Sequence, residues 1–145
     1  MTLVFVDTSV LIAAENTAAA AHGASLQWLD WLWRSRNGRT GMQALLEFYE
    51  AVTRRADSPL PQGDARAAIR RYHSWTPCKL DAATLETAWA LEARHLLPWG
   101  DCLALACAQH SGCTQLLSTD LPHALSFGGV QVLHPVRQAP PEDEK

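Results

Sequence analysis

The chain has no run approaching the ~18 to 20 consecutive apolar residues of a membrane-spanning helix, which argues against a transmembrane protein. Its N-terminus, MTLVFVDTSVLIAAENT, carries no basic stretch and meets Asp7 early, so a secretory signal is not expected. Charge of one sign is scarce as well. Against 15 acids stand 12 bases, a net charge of −3, which excludes a strongly basic nucleic-acid binder. Of only four cysteines, three crowd between Cys102 and Cys113, and with no export signal the reading is reduced thiols in a cytoplasmic chain. There is no G-x-S-x-G elbow, Walker loop, Rossmann glycine fingerprint or HExxH pair. A haloacid-dehalogenase-like phosphatase would want a second Asp two residues after Asp7, and Ser9 stands there instead.

What the chain does have is apolar substance. At 145 residues and 48% hydrophobic it can bury a core as one domain, and intrinsic disorder is excluded. The tail after Arg137, QAPPEDEK, holds three acids and one base, so the domain is read as residues 1–137 and the acidic tail as 138–145. Without the tail, 12 acids face 11 bases, and the folded body is nearly neutral.

The order of elements is legible from hydrophobic patterning. Leu3-Val4-Phe5-Val6 is a short, wholly apolar run ending at Asp7-Thr8-Ser9, as in a central strand buried on both faces. Val10 to Ala14 begins a helix, His22 to Arg36 is a second, and Met42 to Arg55 a third. A proline-bearing loop, Ala56 to Pro61, precedes a helix over Gln62 to Ser74, and Cys78-Lys79-Leu80 is a short strand candidate. Asp81 is placed to cap a helix that ends before Pro98. Trp99 to His110 starts the next, and its stretch Cys102 to Ala108 is apolar all round, as in a buried helix. Thr114 to Leu117 and Val130 to Leu133 are further strands. Strands alternating with helices predict a single α/β domain with a mainly parallel sheet.

In such a sheet, ligands bind beyond the carboxyl ends of the strands. Asp7 follows the first strand directly, and Asp120 follows Leu117-Ser118 with only Thr119 between. If those strands are neighbours, both carboxylates emerge at one edge. Asp101 lies in the first turn of the buried helix, where the helix dipole favours an acid. Glu47 lies about 200° around its helix from Leu45 and Tyr49, and the pattern leaves its face open. Each acid has an ordinary structural role open to it: caps for Asp7 and Asp101, a turn for Asp120, a solvated helix position for Glu47. A cluster of carboxylates repels itself unless a cation holds it, and hard oxygen ligands select Mg²⁺ or Mn²⁺, ions suited to phosphodiester hydrolysis.

Four segments resemble the PIN-domain ribonucleases, and in particular the VapC toxins of bacterial type II toxin–antitoxin pairs. Val4-Phe5-Val6-Asp7-Thr8-Ser9-Val10-Leu11 resembles the opening strand with its first acid. Leu45-Leu46-Glu47-Phe48-Tyr49 with Val52-Thr53-Arg54 resembles the helix bearing the second. Trp99-Gly100-Asp101-Cys102-Leu103-Ala104-Leu105-Ala106 resembles the segment bearing the third. Leu116-Leu117-Ser118-Thr119-Asp120-Leu121, then Phe127-Gly128-Gly129-Val130 and His134-Pro135, resembles the closing segment with the fourth. The resemblance implies a three-layer α/β/α sandwich and a Mg²⁺-dependent endoribonuclease toxin (Mn²⁺ substituting) with Asp7, Glu47, Asp101 and Asp120 as its catalytic, metal-binding acids. Asp7 and Asp101 are the first choices as direct ligands. It also implies an RNA substrate, a small antitoxin partner and a homodimer. Competing readings are a stand-alone PIN nuclease of RNA processing and a non-catalytic RNA- or protein-binding module.

The chain departs from the common pattern at Thr119, where many members carry a further acid, at Cys102, where a small residue is usual, and at Ala124, where glycine is frequent. Ser9 either bonds Asp7 or the scissile phosphate, or caps the next helix. Arg54 and Arg55 complement a helix dipole in preference to contacting phosphate. Cys102, Cys107, His110 and Cys113 lack the paired spacing of a tetrahedral zinc site and are read as buried small residues. Trp28, Trp31 and Trp33 cannot all face one core, so part of their helix is exposed, either as a partner groove or as half-buried packing. With the tail and the four site acids set aside, eight acids face 11 bases, and ten of the chain's 12 bases are arginine. That balance suits a mildly basic surface around an acidic centre.

Overall fold

In the computed structural model, residues 2–55, 57 and 59–142 are described. The apolar run at the start forms strand β1 (Val4–Val6), buried at every position. Helix α1 (Thr8–Glu15) follows at once, then α2 (His22–Ser35), strand β2 (Gly38–Arg39) and α3 (Met42–Glu50). Next come α4 (Gln62–Tyr72), α5 (Ala82–His95), α6 (Trp99–His110) and strands β3 (Gln115–Leu117), β4 (Ser126–Phe127) and β5 (Val130–Leu133). The strands form one five-stranded sheet in the order β2-β1-β3-β5-β4. All pairings are parallel except β4 with β5.

Alternation along the strands divides the interior in two. Val4, Val6, Leu117 and Leu133 point into a core shared with Leu11, Trp28, Leu32, Leu45, Phe48 and Trp75, from the helices before α5. Phe5, Leu116 and Val132 point the other way, against Ala88, Leu91, Leu105 and Ala106 of α5 and α6. Helices therefore cover both faces, and the three-layer α/β/α sandwich expected from the sequence is the fold.

Local departures have local causes. The helix read through Arg55 keeps α geometry only to Glu50, and Ala51–Arg55 widens into a π turn. There the Thr53 hydroxyl donates to the Tyr49 carbonyl at 2.6 Å, and the Leu60 amide donates to the Val52 carbonyl at 2.8 Å. Side chain and loop thus take up carbonyls that a regular helix would use. The loop prediction over 56–61 falls partly on residues 56 and 58, outside the described set. Cys78–Leu80 is not a strand: a single bridge joins Cys78 to Gly41. Strands β2 and β4, each two residues long, were not expected. Arg36, with φ of 63°, ends α2 in the left-handed region before Asn37-Gly38. Gly38 itself lies against the Trp75 indole, where a Cβ would stand 2.6 Å from a ring carbon. Of the apolar residues of α2, Trp28, Leu29 and Leu32 are buried while Leu26 is 46% exposed. Trp31 meets Trp28 edge-on, and Trp33 packs on Trp75 with 4.5 Å between centroids, so Trp28 is core while Trp31 and Trp33 pack against other rings and stay partly exposed. The Trp28 indole donates to the Gln138 carbonyl at 2.7 Å, tying the chain to α2 as far as the start of the tail. No helix among the described residues is long and apolar enough to cross a membrane.

Candidate active site

Because β1 and β3 are parallel neighbours, their carboxyl ends reach the same edge, and the ladder continues with Asp7 N–H to the Leu117 carbonyl at 3.0 Å. Asp7 leaves the end of β1 and Asp120 the end of β3, while α6 brings in Asp101 from its first turn. One carboxylate oxygen from each of Asp7, Asp101 and Asp120 lies within 4.8 Å of the others. Asp7 is buried, Asp101 intermediate and Asp120 exposed, so the cluster runs from the sheet edge outward.

Asp7 stands at the N-cap of α1, but its side chain makes no capping bond. Instead Oδ2 accepts from the Ser9 hydroxyl at 2.8 Å and from the Ser118 hydroxyl at 3.2 Å. Ser9 in turn accepts the Thr119 amide at 3.0 Å, and Ser118 accepts the amides of Asp120 at 3.1 Å and Leu121 at 3.3 Å. These serines orient the carboxylate and fold the backbone after β3 around it. The Ser9 hydroxyl thus bonds Asp7, and with Asp7 at the N-cap position Ser9 does not cap α1.

Glu47 stands apart from the group of three, at its margin. Thr8 donates to its Oε2 and Gln43 to its Oε1, each at 2.9 Å. A narrow crevice of about 10 Å³ lies between Asp7, Thr8, Gln43, Glu47 and Gly100, room for about one water. The buried Gln43 Oε1 has no hydrogen-bond partner there.

The electrostatics are one-sided. Burial pushes the Asp101 carboxyl up to about 6, helped by the charges of Asp7, Asp120 and Glu47. Asp7 is also raised, chiefly by burial and further by Asp120, against the lowering effect of the serine hydrogen bonds. Among the described residues no Lys, Arg or His forms an ion pair with any of the three; Arg34 pairs with Asp30 and Arg55 with Glu50 instead. A hard, all-oxygen donor set short of positive charge fits a divalent cation of the Mg²⁺ or Mn²⁺ class.

Sequence reasoning missed Thr8, Gln43 and Ser118. A signal was present: Asp7-Thr8-Ser9 and Ser118-Thr119-Asp120 are mirror images at the ends of two strands. The departures at Cys102 and Ala124 are accommodated. Cys102 is buried with its thiol directed at the Leu97 carbonyl at 3.6 Å, and Ala124 takes a left-handed φ of 69° with its amide bonded to the Val132 carbonyl. All four cysteines are free, and the acids form the one multi-residue metal-type cluster among the described residues, so a zinc site has no support.

The PIN domain family profile matches residues 4–122. Among solved structures, the chain is similar to Mycobacterium tuberculosis VapC20, described as a toxin that cleaves the sarcin–ricin loop. The TM-score is 0.67 at 27% identity, over 88% of this chain and 98% of that one. It also resembles PAE2754 from Pyrobaculum aerophilum, with a TM-score of 0.54 at 19% identity over 94% of each chain, a likeness of fold alone. No curated protein sequence matches. Fold, strand-edge acids and family profile agree, and the chain belongs to the PIN-domain family, whose members are typically nucleases.

Proposed function

We propose that the chain is a VapC-like endoribonuclease toxin that depends on Mg²⁺ or Mn²⁺ and is neutralised by a small cognate antitoxin. The observation that carries this reading is the convergence of Asp7, Asp101 and Asp120 within 4.8 Å at the carboxyl edge of the sheet, where none of the three forms an ion pair with a basic side chain among the described residues. Such a group of like charges is unfavourable unless a cation offsets it. RNA as substrate follows the likeness to VapC20, which acts on the sarcin–ricin loop.

Asp7 and Asp101 would hold the cation directly; Asp120 and Glu47 would act through water or position the attacking water. A bound divalent ion lowers the pKa of water and offsets charge developing on the phosphate. The chain's own part is positioning. Ser9 and Ser118 fix the Asp7 carboxylate, and their bonds to the amides of Thr119, Asp120 and Leu121 hold Asp120 beside it. Thr8 and Gln43 hold both oxygens of Glu47 and keep its charge facing the crevice. The antitoxin and a homodimeric state belong to the same reading.

The test is expression of the wild type and Asp7→Ala in a bacterial host, with and without co-expression of a candidate small antitoxin, while cleaved cellular RNAs are mapped. Growth arrest with discrete RNA breaks, lost in Asp7→Ala and suppressed by the cognate antitoxin, is expected. Equal growth and identical RNA profiles for both proteins would overturn the proposal.

A further inference from the structure

Beside the acid cluster, on the side of Asp120, a cleft of about 480 Å³ opens between α1, the turn after it and the segment following β5. That is within the ~300–1,000 Å³ range of small-ligand sites. Its floor is apolar, built from Ile12, Val136 and several alanines of the 13–21 segment. Its polar edge consists of Asn16, Thr119, Asp120 and His134, with Ser9 at the junction with the cluster.

Existing hydrogen bonds decide what this edge offers. Asn16 Oδ1 accepts the Ala18 amide at 3.1 Å, so the end of the side chain left for a ligand is the Nδ2 amide, a donor. His134 Nδ1 accepts the Val136 amide at 3.2 Å, so a neutral ring carries its proton on Nε2, again a donor. Burial, with His123 and Arg137 nearby, favours that neutral ring by lowering its pKa. Ser9 is already engaged on both sides, donating to Asp7 and accepting from Thr119. The cleft therefore presents amide and imidazole donors above an apolar floor, adjoining the carboxylates through Asp120.

We infer that this cleft seats the nucleobase adjoining the scissile phosphate of an RNA substrate, with Asn16 and His134 selecting bases that carry a keto oxygen, guanine and uracil, over adenine and cytosine. An apolar floor accepts the face of any base, so selection falls to the edge. Guanine presents O6 and uracil O4 as acceptors where adenine and cytosine present amino donors, and a donor pair discriminates between these two classes. The inference rests on the ribonuclease reading above and adds a specificity to it.

The experiment is cleavage of a randomised single-stranded oligoribonucleotide pool by the full chain with Mg²⁺ or Mn²⁺, the breaks mapped by sequencing. The wild type is expected to enrich G and U at one fixed position next to the break by about tenfold. Asn16→Ala and His134→Ala should erase most of that enrichment. Asn16→Asp replaces the donor by an acceptor and should turn the preference toward A and C, a reversal that a purely structural role for Asn16 would not produce. Binding of short oligoribonucleotides in EDTA should follow the same order and reads the cleft without cleavage. No base preference in the wild type, or an unchanged preference in all three variants, overturns the assignment while the ribonuclease reading stands. An unchanged preference combined with loss of a protein partner's binding gives the cleft to that partner and equally overturns it. Failure of the wild type to cleave RNA under any of these conditions overturns the ribonuclease reading itself.

Discussion

Ser118 donates a hydrogen bond to Asp7 across 111 positions of sequence, 3.2 Å from hydroxyl to Oδ2 and fully buried. The bond joins the ends of β1 and β3, and the same oxygen accepts the amides of Asp120 and Leu121. Ser118→Ala leaves those buried partners short of one acceptor and one donor. A loss of about 1–3 kcal/mol in stability by urea denaturation is expected, with weaker divalent-ion binding because Asp7 and Asp120 are no longer held together. Binding and stability both equal to wild type would show that the serine does not organise the site.

Asp101 links the acid cluster to pH. Its carboxyl is raised from 3.8 to about 6, first by burial and then by Asp7, Asp120 and Glu47. The sign follows from linkage: between those values the folded state binds more protons than the unfolded state, so metal-free stability falls as pH rises through the window. The penalty is absent below the lower value and complete above the upper one. Metal-free Asp101→Asn should therefore gain in melting temperature over wild type between about pH 4 and pH 6, levelling above that. Mg²⁺ at neutral pH should raise the melting temperature of the wild type and leave the variant nearly unmoved. Parallel curves for the two metal-free proteins would show that the repulsion is not felt.

A single methyl group has opposite effects at two backbone positions. Ala124 holds a φ of 69°, where a Cβ is strained, so Ala124→Gly should stabilise the fold by up to about 1 kcal/mol. Gly38 has the Trp75 ring across its face, so Gly38→Ala forces the indole or β2 to move and should destabilise by about 1–3 kcal/mol. Thermal or urea unfolding measures both, and effects of the same sign would contradict the packing described.

Much of this was legible in the residues, for physical reasons. The apolar run Val4–Val6 admits only a strand buried on both faces, and Asp7 directly after it falls at the ligand edge. The all-round apolar Cys102–Ala108 forces α6 inside and brings Asp101, in its first turn, to the acid cluster. Glu47 was open because helical phase leaves it between sides. Leu46 turns 66% outward while Thr8, from another helix, takes hold of Glu47, a tertiary contact that periodicity does not encode. Strands β2 and β4 escaped because two residues cannot show a period. Asn16, just after α1, and His134, just after β5, meet at one cleft only in the folded chain, a proximity no local pattern encodes.

The central claim is that the cluster of Asp7, Asp101 and Asp120 holds a divalent cation with which the chain cleaves RNA. Its most direct measurement is RNA cleavage by metal-stripped protein, wild type and Asp7→Asn, before and after addition of Mg²⁺ or Mn²⁺, with both proteins shown to be folded. The wild type should be silent without metal and active with it, and Asp7→Asn should be silent in both. Cleavage by the stripped wild type, or full metal-stimulated activity in Asp7→Asn, would contradict the account.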